Sequence, residues 1–362
     1  MTDTGAIDCK NLDQTGLVEF AESLDQPAFR GKQIMAWLYR PGIEKFSQMT
    51  DLAKSFRTLL SEHAVISKFA PPALERSQDG SIKFGFPLSD GSIIESVLIP
   101  EADRNTLCIS SQVGCSMDCA FCHTGTMGFK RNLAPSEMVN QVCSVREFIL
   151  KEPQDRLIGP RDITNLVFMG MGEPLNNLDN LLVALSILTD QKGLDLAGRR
   201  ITVSTCGIVP KMRLLGEKSS VNLAISLHAV DDETRSMLMP VNRRYPIDQL
   251  LQACRDYPMK KRRRIMFEYI LIDGVNDTLN EARKLARILR GIPCKINLLS
   301  FNESDKKPFR SSSKERMLSF QNILREANYS VFIRSSRGAD ISAACGQLAS
   351  ELNKENNDGQ TP

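Results

Sequence analysis

The spacing of apolar residues predicts three differently built regions along the chain. Residues 13–66 carry apolar side chains every three or four positions, which predicts helices. Two short β-type runs, Ser81–Phe86 and Ser92–Ile99, are flanked by Asp-Gly turn signals and predict a small β-hairpin unit. From about residue 105 onwards, short apolar runs alternate with longer amphipathic stretches, which is the pattern of strands followed by helices.

The alternating region predicts six βα units in series. The predicted strands are Thr106–Ser111, Asn165–Met169, Ile201–Ser204, Asn222–Ser226, Met266–Leu271 and Lys295–Ser300, and the predicted helices are Pro135–Leu150, Leu178–Leu188, Pro210–Leu215, Pro246–Tyr257 and Thr278–Leu289. Such a series forms a parallel α/β sheet, which either closes part of the way into an incomplete (βα) barrel or stays open and doubly wound. A further helix, Ser313–Ala327, and a strand, Ser330–Ser335, follow before a polar tail at residues 353–362.

Composition narrows the class of protein only a little. The 362 residues are 42% hydrophobic and 25% charged with a net charge of +3, as in an ordinary globular protein that could but need not bind nucleic acid. No apolar run reaches the roughly 18 residues of a membrane helix, and the first ten residues lack a secretion signal. We therefore expect a cytosolic protein without membrane contact, whose ten cysteines are ligands, nucleophiles or small buried residues.

Three of the cysteines, Cys115, Cys119 and Cys122, form a C-x3-C-x2-C triplet. A cubane iron–sulfur cluster has four irons, so three thiolates leave one iron open to a small molecule. S-adenosylmethionine (SAM) can chelate such an iron, and the two together generate radicals. The alternatives are a structural zinc site, which usually takes four protein ligands, and a disulfide, which is rare in a reduced compartment.

Polar or glycine-rich motifs follow five of the six predicted strands, where parallel α/β proteins place their chemistry. In the run of residues 170–174, Gly172 lets the backbone approach a ligand closely and Glu173 could accept a hydrogen bond from the SAM ammonium. The other polar residues at strand ends, which could contact SAM or could be ordinary turn and capping residues, are Ser204, Ser226, His228 and Asn302.

Two further cysteines could reach the same face of the sheet. Cys345 lies among small residues in a predicted accessible loop, and Cys108 lies in the first predicted strand. For each of them a small buried cysteine is an equally good interpretation. A thiolate that accepts a methyl group would need a lowered pKa, which basic neighbours such as Arg334 or Arg337 could supply.

Several motifs resemble, in the same order, those of the RlmN/Cfr family of radical-SAM methyl synthases. They are residues 111–133, 168–177, 225–228, 337–341 and 344–347, and residues 29–39 look like the family's N-terminal helical domain. The resemblance implies a partial (βα)6 TIM-like radical-SAM barrel. The implied parts are an N-terminal helical domain (1–70), a β-hairpin unit (71–103), the barrel (104–302), a C-terminal extension (303–350) and a polar tail (351–362).

The resemblance also implies a cofactor set and a reaction. Cys115, Cys119 and Cys122 would hold a [4Fe-4S] cluster, and the residues contacting SAM would be Gly172, Glu173, Ser204, Ser226, Leu227, His228 and Asn302. Cys345 would take a methyl group from one SAM, and a 5′-deoxyadenosyl radical from a second SAM would remove a hydrogen from that methyl group. The resulting methylene radical would add to an adenine carbon, Cys108 would resolve the adduct through a transient disulfide, and Glu95 would accept a proton.

Within the family, one branch methylates C2 of an adenine in 23S rRNA and, in many bacteria, of a tRNA adenine beside the anticodon, and the other methylates C8. Pro174 and the N-terminal segment resemble the first branch, so we expect C2. The implied partners are 23S rRNA, tRNA and a flavodoxin-type electron donor, and we expect a monomer. Basic runs that could neutralise phosphate lie at residues 130–131, 199–200, 243–244 and 260–264. The alternatives are methylation of C8 of an rRNA adenine, a radical-SAM enzyme with a substrate other than RNA, and a non-catalytic Fe–S or zinc protein that binds RNA.

Two residues depart from the family pattern. Glu303 stands after Asn302 where a proline is more usual, and the loop that follows it is charged. His123 stands after the third cysteine of the triplet where a small residue is more usual. It could hydrogen-bond near the cluster or face solvent.

Overall fold

The computed structural model describes residues 5–153, 158–260, 262–303 and 307–348. The helices in these ranges are α1 (Gln14–Ser23), α2 (Phe29–Leu38), α3 (Lys54–His63), α4 (His123–Thr126), α5 (Pro135–Lys151), α6 (Leu178–Thr189), α7 (Val209–Lys218), α8 (Asp232–Leu238), α9 (Ile247–Arg255), α10 (Leu279–Ile288) and α11 (Lys314–Glu326). The strands are β1 (Ile7–Asp8), β2 (Ala64–Val65), β3 (Ala73–Arg76), β4 (Ile82–Pro87), β5 (Ile93–Glu101), β6 (Arg104–Cys108), β7 (Gln112–Gly114), β8 (Phe129–Asn132), β9 (Asn165–Phe168), β10 (Ile201–Thr205), β11 (Asn222–Ser226), β12 (Ile265–Leu271), β13 (Cys294–Ser300) and β14 (Ser330–Arg334).

A ten-stranded sheet with the order β14-β13-β12-β11-β10-β9-β6-β5-β4-β3 forms the centre of the molecule. Seven of its strands, β6 and β9 to β14, are parallel, and each lies beside the one that precedes it along the chain. Because the strand order never reverses, the sheet is singly wound, which decides in favour of the partial barrel over the doubly wound alternative. The six predicted strands are confirmed, and β14 adds a seventh parallel strand.

The β-hairpin unit continues this sheet. Strands β3, β4 and β5 are antiparallel, and β5 pairs with β6 so that Val97 lies opposite Cys108. The prediction that the first barrel strand runs from Thr106 to Ser111 is wrong at its end, since the strand stops at Cys108. The backbone N–H of Ser110 donates to the Gln141 side chain at 2.8 Å, which takes this residue out of the strand ladder.

The helices predicted within residues 13–66 are present as α1, α2 and α3, and this region packs against the barrel. Helices α1 and α2 touch closely at Gly31, where a Cβ atom would lie 2.5 Å from the backbone of Val18. The buried Lys10 ammonium donates to Asn140 on α5 at 2.7 Å, which ties the first residues to the barrel. No helix in the described ranges is long and apolar enough to cross a membrane.

Candidate active site

The cysteine triplet lies on a loop between β7 and β8, which we call the cluster loop (residues 115–128). These two strands are antiparallel and form a narrow neck, where Cys115 N donates to Gly128 O at 2.9 Å. Gly114 has a φ of 74°, and a Cβ atom there would lie 1.8 Å from the same oxygen, so only glycine fits the neck. This hairpin could not be predicted from the sequence, because each of its strands is only three or four residues long.

The three thiols of the triplet are free and half-buried, and they lie close enough to interact electrostatically. Burial, helped by the nearby Glu173 carboxylate, raises the pKa of Cys115 to about 12. In the described ranges, no group of three or more His, Cys, Asp or Glu side chains is arranged to hold a metal ion. The three free thiols nevertheless suit a cluster with one open iron by their number and their position on one loop, although their side chains are not arranged around a metal ion.

Glu173 lies after β9 and is buried, with both carboxylate oxygens fixed by backbone donors. Leu175 N donates to Oε1 at 2.9 Å and Cys206 N donates to Oε2 at 2.8 Å. Burial raises the pKa of Glu173, whereas these hydrogen bonds favour its ionised form. A bound ammonium group would offset the cost of burying the carboxylate. Gly172 has a φ of 100°, and a Cβ atom there would lie 2.5 Å from Gln112 Cβ.

The ends of β10 and β11 are held together by Arg235, a fully buried residue of α8 that the sequence analysis did not single out. Its guanidinium donates to Leu227 O at 3.1 Å, Ser226 O at 3.1 Å and Cys206 O at 2.8 Å. A fourth hydrogen bond joins it to the Asn242 side chain at 2.9 Å. Arg235 therefore fixes the backbone beside two of the expected SAM contacts, Ser226 and Leu227.

His228 is buried and neutral. Its Nδ1 accepts a hydrogen bond from Ile270 N at 3.0 Å, so the ring proton lies on Nε2. Burial, together with the charge of Arg235, lowers the pKa of His228 to about 3. The Phe121 ring of the cluster loop meets the imidazole edge to face at 4.8 Å between centroids. The structure thus places His228 beside the cluster loop, as a fixed neutral donor.

The C-terminal loop (residues 337–348) carries Cys345 and is docked on three sides. Gly346 O accepts from His123 N at 2.7 Å on the cluster loop, and the Asn302 side chain donates to Cys345 O at 3.1 Å. On the β-hairpin side, Gly338 N and the Arg337 guanidinium both bind Asp79. His123 therefore joins the two loops through its backbone, and Asn302 positions the main chain of Cys345. Glu303, next to Asn302, accepts from Ser311 N at 2.9 Å.

Cys345 and Cys108 lie close enough to interact electrostatically, and Cys345 interacts likewise with Cys122. The Cys345 residue as a whole is exposed, but protein atoms surround its thiol. This burial of the thiol raises its pKa to about 12. The expectation that Arg334 or Arg337 lowers this pKa is wrong, because Arg337 is engaged by Asp79 and the charged residue acting most strongly on the thiol is Glu268.

Glu95 is buried on β5, and its carbonyl oxygen accepts from the Ser110 hydroxyl at 2.6 Å. Val97 lies opposite Cys108, and side chains two residues apart on a strand share a face. Glu95 is therefore on the same face of the sheet as Cys108. The structure brings Cys108 and Cys345 together and places Glu95 on a neighbouring strand.

The basic runs divide between the two ends of the barrel. Arg199 and Arg200 immediately precede β10, and Arg263 and Arg264 immediately precede β12, so both runs lie at the amino ends of strands, away from the site. Lys261 lies outside the described residues. Arg131 is already paired with Glu137 at 2.7 Å. The pair at residues 243–244 follows Asn242, which is hydrogen-bonded to Arg235 under the strand ends, so this run also lies on the site's side of the barrel.

The parallel partial barrel, the cysteine triplet at the carboxyl ends of its strands and the buried carboxylate beside it define a radical-SAM enzyme. Residues 109–286 match the radical SAM superfamily, and residues 7–66 match the ribosomal RNA large subunit methyltransferase N-terminal domain. Proteins of this superfamily use a [4Fe-4S] cluster and SAM.

The similarity to known proteins covers nearly the whole chain. The dual-specificity RNA methyltransferase RlmN of Desulfotalea psychrophila is 68% identical over 97% of this chain and 97% of its own length. The protein of the same name from Geobacter sulfurreducens is 51% identical over 96% and 93%. A radical SAM methyltransferase structure from Sphaerobacter thermophilus superposes with a TM-score of 0.86, at 42% identity over 95% of this chain and all of that one. The chain belongs to the RlmN family of radical-SAM methyltransferases.

Proposed function

We propose that this protein methylates C2 of an adenine in 23S rRNA, and of a tRNA adenine next to the anticodon, using a methyl group first carried by Cys345. The observation that carries the proposal is that Cys345 lies near enough to Cys108 for the two thiols to interact electrostatically, on a loop that is hydrogen-bonded to the cluster loop through Gly346. Two close relatives named as dual-specificity RNA methyltransferases support an RNA substrate, as does the N-terminal domain match.

In the proposed reaction, each part of the site has one task. Cys115, Cys119 and Cys122 would hold the cluster, which together with SAM supplies the methyl group and a 5′-deoxyadenosyl radical. The fixed Glu173 carboxylate would bind the SAM ammonium, while the residues after the neighbouring strands would contact the rest of SAM: Gly172, Ser204, Ser226, Leu227, His228 and Asn302. These contacts orient SAM between the cluster loop and the C-terminal loop.

Two cysteines and one carboxylate would act on the methyl group and the RNA. The docked Cys345 would present its methyl group to the adenine, whose C2 is electron-poor and unsuited to ordinary displacement. Glu95 would take the proton from the adenine carbon once the adduct has lost one electron. Cys108 would then attack Cys345 sulfur, so that a bond between the two sulfurs forms and the bond from Cys345 sulfur to the methylene carbon breaks with its electrons on carbon, where a proton completes the methyl group. We further propose a cytoplasmic monomer that receives electrons from a flavodoxin-type donor.

A target adenine within folded RNA must leave its stack to reach Cys345. The basic pair at residues 243–244 is placed to neutralise phosphate near the site, whereas the runs at the amino ends of β10 and β12 are not. We therefore expect that Arg243→Gln combined with Arg244→Gln weakens RNA binding more than Arg199→Gln combined with Arg200→Gln.

The test of the proposed function is an analysis of RNA products. Anaerobically reconstituted protein is incubated with SAM, a reductant and RNA from a strain that lacks the methylation, and the digested RNA is examined by mass spectrometry. The proposal predicts 2-methyladenosine, lost in Cys345→Ala and kept in the control Cys143→Ala, whose half-buried thiol lies on α5. 8-Methyladenosine would refute the assignment to C2. Release of 5′-deoxyadenosine without any methylated adenosine would refute RNA as the substrate.

A further inference from the structure

A groove runs along the open edge of the central sheet, between α11 and β14. Strand β14 is the last strand at its end of the sheet, so within the described residues its outer edge pairs with no further strand. The groove has a volume of about 420 Å³. Lys314, Leu318 and Arg325 of α11 line one wall, and Phe332 and Arg334 of β14 line the other. We call this feature the edge groove.

The spacing of residues along the two elements explains how the groove is lined. Lys314, Leu318 and Arg325 follow one another at four and seven positions, which places them in one stripe along the helix. The two cations of this stripe lie about 16 Å apart, since an α-helix rises about 1.5 Å per residue. On β14, Phe332 and Arg334 are two positions apart and share a face of the strand.

The edge groove is positively charged. Lys314, Arg325 and Arg334 are exposed, and none of the described residues that line the groove is acidic. The two arginines donate hydrogen bonds to neutral oxygens: Arg325 to Val331 O at 3.3 Å, and Arg334 Nε to Asn297 Oδ1 at 3.2 Å. Because these partners carry no charge, the cations remain available to an anionic ligand.

Phe332 gives the groove an aromatic surface among these cations. The residue is 42% exposed, and the Arg334 guanidinium lies 5.4 Å from the centre of its ring. Single-stranded nucleic acids bind to this combination, because their bases stack on aromatic rings while cations neutralise their phosphates. An acidic protein would match the charges but would bring no base to the ring, so the groove favours RNA.

One end of the edge groove lies at the site. Arg334 is the last residue of β14 and pairs in register with Leu299, near the carboxyl end of β13. Asn302 follows three residues after Leu299, and its side chain donates to Cys345 O at 3.1 Å. The groove therefore leads from the sheet edge towards the loop that carries Cys345.

We propose that the edge groove binds the single-stranded RNA that flanks the target adenine. Its phosphates contact Lys314, Arg325 and Arg334, and one base stacks on Phe332. The 16 Å between the cations of α11 corresponds to about five stacked nucleotides at about 3.4 Å each. The proposal rests on the proposed function, because it specifies where the substrate RNA of that reaction is held.

The test measures binding of a fluorescently labelled RNA stem-loop, with an adenine in its loop, to the anaerobic, cluster-containing full chain. Fluorescence anisotropy is recorded at several salt concentrations. Phe332→Leu keeps an apolar side chain but removes the ring, and it should weaken binding about tenfold. Phe332→Tyr keeps the ring and should bind within about twofold of wild type.

The salt dependence tests the phosphate contacts. Lys314→Gln should reduce the slope of log affinity against log salt by about 0.7, the value for one phosphate contact on a single strand. The matched control is Lys218→Gln, because Lys218 is exposed at the end of α7 that precedes the amino end of β11, away from the site. This control should leave the slope unchanged.

Iron content and thermal unfolding identify any variant that is misfolded. Wild-type affinity in Phe332→Leu, together with a wild-type salt slope in Lys314→Gln, would overturn the proposal. Intact RNA binding combined with slower reduction by an acidic flavodoxin-type protein would assign the groove to a protein partner, and would overturn it as well. Failure of the proposed function is distinguishable, because the wild type would then form no methyladenosine in the RNA, whatever the groove variants bind.

Discussion

Arg235 should be essential to the stability of the site although it lies outside the expected cofactor contacts. Its buried guanidinium makes four hydrogen bonds, three of them to backbone carbonyls of residues 206, 226 and 227. A hydrogen bond from a charged donor contributes about 1.5 kcal/mol or more, so four of them contribute about 6 kcal/mol. Removing the guanidinium also removes the cost of burying a cation, which is several kcal/mol.

The balance predicts that Arg235→Met lowers the free energy of unfolding by about 3 kcal/mol. The assay is urea denaturation followed by circular dichroism, with calorimetric SAM titration of the folded variant. We expect SAM affinity to fall at least about tenfold, because the carbonyls of Ser226 and Leu227 lose their common donor and 1.4 kcal/mol corresponds to that factor.

The matched control is Arg213→Met. Arg213 is exposed on α7 and pairs with Glu217 one turn away, an interaction that solvent screens and that contributes little to stability. The control should therefore leave both the free energy of unfolding and the SAM affinity unchanged. If Arg235→Met were as stable as this control and bound SAM equally well, the inference that Arg235 holds the ends of β10 and β11 in place would be refuted.

Two further predictions concern glycine conformation and pH. Gly172→Ala should cost about 1–3 kcal/mol and reduce SAM binding in a titration, since its φ is positive and the new Cβ would clash with Gln112; a variant as stable as wild type would contradict this. Asp79 has a pKa of about 2, because its hydrogen bonds, including that from Gly338, outweigh the effect of burial. The stability that ionised Asp79 contributes is fully present above its unfolded pKa of about 4 and is lost as the pH falls towards about 2. Limited proteolysis of the C-terminal loop in the wild type should therefore increase as the pH falls from about 4 to about 2. In Asp79→Asn, whose side chain cannot titrate, proteolysis should not increase because of this group. An equal pH response in both proteins would contradict the inference that Asp79 holds the C-terminal loop in place.

The sequence predicts the barrel well because each barrel strand and helix carries its own periodic pattern. Strand Ile265–Leu271, for example, is a largely apolar run that follows a run of basic residues, and it begins within one residue of its predicted start. The cysteine triplet is equally visible, since its ligands are adjacent in sequence and need no tertiary information. Nothing local marks the short β7 and β8 strands, which exist because they close the neck of the cluster loop.

The contacts that complete the site could not be predicted from the sequence, because they join residues far apart along the chain. Arg235 looks like a surface residue of a polar helix, and only the fold shows that it is buried under two strand ends. Likewise, the pKa of Cys345 depends on Glu268, which is 77 positions away, and on burial, so the expected effect of nearby arginines was wrong in direction.

The most direct test of the central claim is to look for a covalent link between the protein and RNA. In Cys108→Ala, reconstituted and supplied with SAM, a reductant and the substrate RNA, the account predicts a stable adduct joining Cys345 to an adenine, because the thiol that would release it is missing. The adduct would be identified by nuclease and protease digestion followed by mass spectrometry. Free 2-methyladenosine released at the wild-type rate by this variant, with no adduct, would contradict the roles of both cysteines.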